Sequence, residues 1–492
     1  MKKVLFLLLF STAFGADHLR TLYNTLDPLS VSKSLAFYEL YPNRPEGNEA
    51  LLRASELLKW PRPYEVAKVI NLVNRTKTGA SELTEEECAI VEQLAAHLPN
   101  RRLRGYEAKS EEEVLQLTSS EIDLGKALLL SQLAGQEDAL KQARSYSALL
   151  DMMALQILAR LPQDASPMEK IKATNAFIFE QMHFRFPPQS IYAESIDLFT
   201  FLPSVMDDHL GVCLGVTALY LAIAQRIDLP LEIITPPGHI FVRYHKDEML
   251  VNIETTARGI HMPSEAYLGI NTRSLEEREL REVIGMTHFN QASVYLHSQQ
   301  FDKAAAAYLK AWPYMEGDTL LSELLGYSYL LCDEDEKGEA LLRKVRDHLA
   351  DHAVQKRALA EDYLEGKTDK EGIRSVFLQV DTTRSSILEK QKLLQEVLQR
   401  HPNFRDGLLQ SAVCYLQLGR TKEALAQLRK YHVLDPNDPS VEYYLCALNG
   451  ERHDFKACWE HLRNAERITK SRNFYPKVLR DVRAELIRHC PE

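Results

Sequence analysis

Apolar residues recur three and four apart along most of the chain, the period of half-buried helices. Glu49 to Leu58 and Leu83 to Leu98 both follow it. Thr84 is a ready N-cap, with Glu87 placed to complete a capping box and Glu85 and Glu86 at the positive end of the helix dipole. From Ser119 to Leu161 two amphipathic segments follow, SSEIDLGKALLLSQLAG and ARSYSALLDMMALQILARL. Met168 to His183 is another, stopped by Pro187-Pro188. After Asp207-Asp208, read as a solvated loop, Cys213 opens a further helix. Its residues Val216, Leu219, Tyr220, Ile223 and Ile227 predict one buried face. The period then changes. Leu231 to Ile234, His239 to Tyr244 and Met249 to Ile253 read as strands, with a turn at Pro236-Pro237-Gly238 and a polar tip at His245 to Glu248.

From about residue 285 the pattern repeats. Ala292, Tyr295 and Ala304 recur 34 residues later as Gly326, Tyr329 and Gly338. A third unit holds Ala412, Tyr415, Gly419, Ala424, Leu428 and Pro436; a fourth holds Cys446, Phe455, Cys458, Leu462 and Ala465. Cys446 and Cys458 stand where the other units carry Ala or Gly, which gives them a packing role. Gly326 and Ala412 are 86 residues apart, not a multiple of the period, so an irregular insertion lies near 350–400. Ile387 to Pro402 reads as the second helix of a unit. Residues 285–470 thus resemble the tetratricopeptide repeat family. The resemblance implies a superhelix whose groove takes a protein or peptide partner. The plainer reading is that the repeats only cap and support the preceding domain. Residues 471–492 form a C-terminal helix.

Composition narrows the classes. Glycine and proline are scarce, 20 and 21 in 492 residues, as long helices require. A net charge of −10 argues against a nucleic-acid binder that works by phosphate neutralisation. Residues 1–15, MKKVLFLLLFSTAFG, have a basic start, a short apolar run and small residues at −3 and −1 of a cut before Ala16. They read as a signal peptide, with an apolar first helix of a cytosolic domain and an uncleaved anchor as the alternatives, so the mature protein is expected to be exported, periplasmic or secreted, without stable membrane insertion. The seven cysteines form no CxxC pair and no zinc-ligand spacing.

The candidate chemistry lies between these regions. Cys213 would face the unpaired N–H groups of a helix N-terminus, which favour thiolate over thiol and can hold an oxyanion. His239 at the start of one strand and Glu254 at the end of its hairpin partner are symmetric about a tip near 246–247. A helix packed on that sheet could bring Cys213 to the His239 ring, a nucleophile–base–orienter arrangement. Arg243 and Asn252 read as braces between strands. His209, His245 and His261 lie nearby in sequence, without metal-ligand spacing.

The segments GVCLGVTALYLAIAQRIDLP, PPGHIFVRY and VNIETT resemble the transglutaminase-like superfamily, and its bacterial SirB-like branch, which often carries tetratricopeptide repeats after the core. The resemblance covers about 118–280. It implies catalytic Cys213, His239 and Glu254, with Glu where the superfamily often has Asp, and it requires no cofactor and no metal. Some SirB-like members lack the cysteine, so two readings stand. One is a cysteine-dependent hydrolase or acyltransferase, acting on an amide or peptide-like bond. The other is a non-catalytic adaptor built on a retired core. The expected architecture is α+β, mostly α: signal peptide 1–15, helical region 16–117, transglutaminase-like (papain-like) core 118–280, α-solenoid 285–470, C-terminal helix 471–492.

Overall fold

The computed structural model describes residues 18–73, 83–187, 197–381 and 383–490. The signal peptide expected at 1–15 lies outside the described residues. The chain divides into two compact units. Among the described residues, the first comprises 18–73, 83–187, 198–231 and 254–260; the second comprises 197, 232–253, 261–381 and 383–490. The helices of the expected core therefore fall in the first unit and its sheet in the second.

The principal helices of the first unit are α1 (Val31–Leu40), α2 (Pro45–Leu57), α3 (Glu85–Leu94), α4 (Leu124–Gln132), α5 (Ala139–Leu158), α6 (Pro167–Asn175), α7 (Leu202–Asp208) and α8 (Cys213–Arg226). Their starts are chemically marked. Thr84 and Glu87 form the capping box of α3, and Ser166 and Glu169 that of α6, which has Pro167 at its first position. Asp123 caps α4 through the Lys126 N–H. Beyond Asn175 the chain continues as a π-helical turn, Ala176–Gln181. Asp207 and Asp208 close α7 instead of forming a loop, and the Tyr146 hydroxyl donates to Asp207 Oδ2 at 2.7 Å.

The centre of this unit is α8. Its sequence predicts one buried face, but Leu214 to Ala224 are buried all round, because α4, α5, α7 and short turns pack on every side. At its end Arg226, fully buried, donates from Nε to Asp151 Oδ1 at 2.8 Å and pairs with Asp123 at 3.5 Å. Arg101 also pairs with Asp151, and the Asn100 amide donates to Asp123 Oδ2 at 2.8 Å.

The second unit opens with a four-stranded antiparallel sheet of order β3-β2-β1-β4: β1 (Glu232–Thr235), β2 (Phe241–Lys246), β3 (Met249–Ile253) and β4 (Glu276–Arg278). Strand β4 carries no apolar alternation to announce it; it forms by pairing Arg278 with Ile233 and Glu276 with Thr235. Lys246 pairs with Met249 and Val242 with Ile253. The hairpin therefore turns on Asp247-Glu248, with Asp247 at φ 53°, one residue later than the sequence symmetry places it. Arg243 Nε donates to Asn252 Oδ1 at 2.8 Å across the hairpin, the expected brace.

Helices then pair: α9 (Leu280–His297) with α10 (Phe301–Ala311), and α11 (Thr319–Leu331) with α12 (Asp335–Val345). Short helices α13 (Leu359–Leu364) and α14 (Lys370–Phe377) and the longer α15 (Arg384–Arg400) fill the irregular region. Pairing resumes as α16 (Arg405–Gln417) with α17 (Thr421–Leu434) and α18 (Pro439–Glu451) with α19 (Phe455–Ser471), before α20 (Lys477–His489). Small residues let α11 and α12 approach closely: a Cβ on Gly338 would meet the Gly326 carbonyl oxygen at 2.8 Å.

Between α12 and α13 a non-helical strap of turns and bends contacts several of the repeat helices. Val354 is 1% exposed; its N–H donates to Asn271 O at 3.1 Å and its carbonyl accepts from Arg472 at 2.7 Å. Gln355 Nε2 donates to Asp438 Oδ2 at 3.2 Å, and Arg357 pairs with Glu323 of α11 at 2.9 Å. Among the described residues no helix is long and apolar enough to cross a membrane.

Candidate functional site

Cys213 is the first residue of α8, with Val212 as an N-cap that offers no side-chain bond. Between Gly211 and Ala224 it alone is not buried; every neighbour in that run is. The first N–H groups of a helix have no intrahelical partner, so the thiol stands at an electropositive end. Gly215 makes the local packing: a Cβ there would meet the Phe199 carbonyl oxygen at 2.3 Å.

The face of α8 that bears Cys213 continues through Thr217 and Tyr220, one and two turns on. Both are tied to the segment that begins at Glu254. The Thr217 and Thr255 hydroxyls are 2.9 Å apart and buried. The Tyr220 hydroxyl donates to Asn175 Oδ1 at 2.9 Å, and Asn175 Nδ2 donates to Gly259 O at 3.1 Å. Gly259 is at φ 75°, and its Cβ position lies 2.4 Å from the Asn175 amide, so glycine is required twice over. Two polar links thus hold the Glu254–Ile260 turn against the cysteine-bearing helix. Asn175 stands immediately before the π-helical turn. Nothing in the sequence marks Asn175, Thr217 or Thr255 as partners.

Glu254 is buried, and its Oε1 accepts from the Thr256 N–H at 3.0 Å and hydroxyl at 2.6 Å, capping a short 3-10 turn. His239 belongs to the second unit. It lies two residues before β2, not in the strand as expected, and its N–H donates to Pro236 O at 3.0 Å. Its half-buried ring stacks on Tyr267 with centroids 5.9 Å apart, and Tyr267 stacks on Phe241 at 4.4 Å. Tyr267, unmarked in the sequence, is thus the aromatic support of the histidine. The other three histidines have partners of their own. His209 stacks on Phe184 at 4.5 Å, and burial holds it below its ordinary pKa. His245 faces Glu232 at 3.1 Å, and His261 Nδ1 accepts from the Asn252 N–H at 3.1 Å. Among the described residues no group of three or more His, Cys, Asp or Glu is arranged to hold a metal ion.

Cys213 thus begins a buried helix of the first unit, His239 precedes β2 of the second, and Glu254 follows β3. Residues 144–282 match the transglutaminase-like superfamily, and residues 391–445 match a tetratricopeptide repeat. The chain carries a transglutaminase-like domain followed by tetratricopeptide repeats. No curated protein matches it. Among solved structures, a thermophilic tetratricopeptide-repeat protein of Thermus thermophilus is 16% identical, with 42% of this chain and 97% of that chain covered and a TM-score of 0.22. YrrB, described as a repeat protein with an unusual peptide-binding site, is 17% identical over 38% of this chain and 87% of that chain, with a TM-score of 0.19. A MamA mutant is 15% identical over 38% of this chain and 98% of that chain, with a TM-score of 0.20.

Proposed function

We propose that this is an exported cysteine-dependent acyl-transfer enzyme of the SirB-like kind, hydrolysing an amide or peptide-like bond. The observation that carries the reading is Cys213: a half-exposed thiol at the N-terminus of a helix otherwise buried all round. In this reading the Cys213 thiolate attacks the carbonyl carbon. The first-turn N–H groups of α8 hold the oxyanion. His239 takes the thiol proton and passes it to the leaving amine, and water then releases the acyl group. Glu254, held by its own turn, keeps the histidine oriented. The repeats recruit a protein or peptide partner or substrate.

A thiol-reactive amide probe tests the chemistry. Labelling of Cys213 below pH 7, lost in His239→Ala and Cys213→Ala, is the expected result. Labelling at the rate of an ordinary thiol, with an apparent pKa near ~8.5, would leave the adaptor reading: a retired core whose repeats hold a partner. The address has a separate test. N-terminal sequencing of the exported protein should begin at Ala16, and an intact Met1 on a cytosolic form would refute export.

A further inference from the structure

In each of the four helix pairs, small residues stand twelve apart in sequence: Ala292 and Ala304, Gly326 and Gly338, Ala412 and Ala424, Cys446 and Cys458. The last pair differs in chemistry. The Cys446 and Cys458 sulfurs are 3.1 Å apart, and the residues are 1% and 2% exposed. A disulfide requires about 2.05 Å between sulfurs and backbones as close as these small-residue positions demand. Only about one ångström of sulfur movement separates the contact from the bond.

We propose that Cys446 and Cys458 form an oxidative modification site, which takes a disulfide oxidant of the glutathione disulfide class and closes a bond between α18 and α19. The Cys458 thiolate attacks one sulfur of the oxidant, forming a mixed disulfide and releasing one glutathione thiolate. Cys446 then loses its proton and attacks the Cys458 sulfur, and the second glutathione thiolate leaves. Two cysteine thiols are oxidised, one glutathione disulfide is reduced to two thiols, and the two cysteine protons end on them.

The order of attack follows from the surroundings. Either sulfur can donate in this contact; with the Cys446 thiol as donor, Cys458 is held below the usual thiol range and Cys446 is pushed above it. Cys458 also lies in the first turn of α19, where the helix dipole favours an anion. The oxidant reaches the pair when the helix hairpin opens locally.

The full-length protein, incubated with glutathione disulfide, acid-quenched, denatured and alkylated, provides the test. Cys446 and Cys458 should escape alkylation together, with their two peptides joined and the protein lighter by two hydrogens. Cys446→Ala and Cys458→Ala should fold, because alanine occupies both positions in the pair of Ala412 and Ala424, and each should lose the joined peptide. The oxidised protein should also melt at a higher temperature than the same sample treated with dithiothreitol, a difference absent from both variants. Complete alkylation of both cysteines after oxidation, or either one joined to a different cysteine, would overturn the proposal. Joined peptides without a change in melting would overturn the expected stabilisation of the α18–α19 pair by the bond.

Discussion

Asp406 shows how one side chain can set a pH dependence. The residue is half-buried, but its Oδ2 is buried and has no hydrogen-bond partner. Burial, reinforced by the charges of Asp362 and Glu323, pushes its carboxyl up to about 7. The unfolded carboxyl keeps its proton only below about 4. Between these values the folded state binds a proton that the unfolded state does not, so stability falls as pH rises through the window. The loss amounts to at most about 4 kcal/mol. Urea unfolding of wild type and Asp406→Asn at pH 4.5 and pH 7.5 should show a smaller decline in the variant. An equal decline would assign the slope to other groups. Candidate residues were legible at this scale, since Cys213, His239 and Glu254 stand in short, distinctive segments. Their side-chain partners were not. Thr256 on Glu254 and Tyr267 beside His239 are contacts made only once turns have closed, and no spacing rule encodes them.

At the scale of elements, α8 and the turn after Glu254 are joined through buried hydroxyls. Thr217→Val keeps the shape of the side chain but leaves the Thr255 hydroxyl buried opposite a methyl group. The expected cost is about 1–3 kcal/mol, read as a lower urea midpoint. Labelling of Cys213 should slow in the same variant, because the turn that packs on its helix face is loosened. The capping box of Thr84 and Glu87 and the 34-residue period were plain in the sequence, since both depend on residues a few positions apart or on exact recurrence. Strand β4, a run of Glu-Glu-Arg, was invisible because only its pairing with β1 makes it a strand. The hairpin register was displaced by one residue because its turn falls on the left-handed Asp247.

For the molecule as a whole, the periodic signal separated a helical first part, a small sheet and a repeat region, and the structure has all three. It did not reveal that α8 is enclosed on every side, because a five-residue apolar stripe also fits a surface helix. The enclosing elements are bound by charge as well as by apolar packing. Arg226→Ala would leave Asp151 and Asp123 without their shared guanidinium in the interior. Loss of about 3–5 kcal/mol is expected, measured by denaturant unfolding. A smaller loss would show that Arg101 and Asn100 suffice to hold the two carboxylates.

The strap through Val354 bears on how the repeats can be used. It is a non-helical segment already resting on Glu323 of α11 and on Asp438, the cap of α18. Because it is tethered, it competes for that surface at an effective concentration of order millimolar. Were a ligand to use the same residues, it would meet a surface open only for the fraction of time the strap was away, and its apparent affinity would be reduced by that fraction. On the proposed reading of the repeats as a partner site, a ligand that matched Glu323 and Asp438 no better than the strap would be excluded, and shortening the strap would lower that threshold.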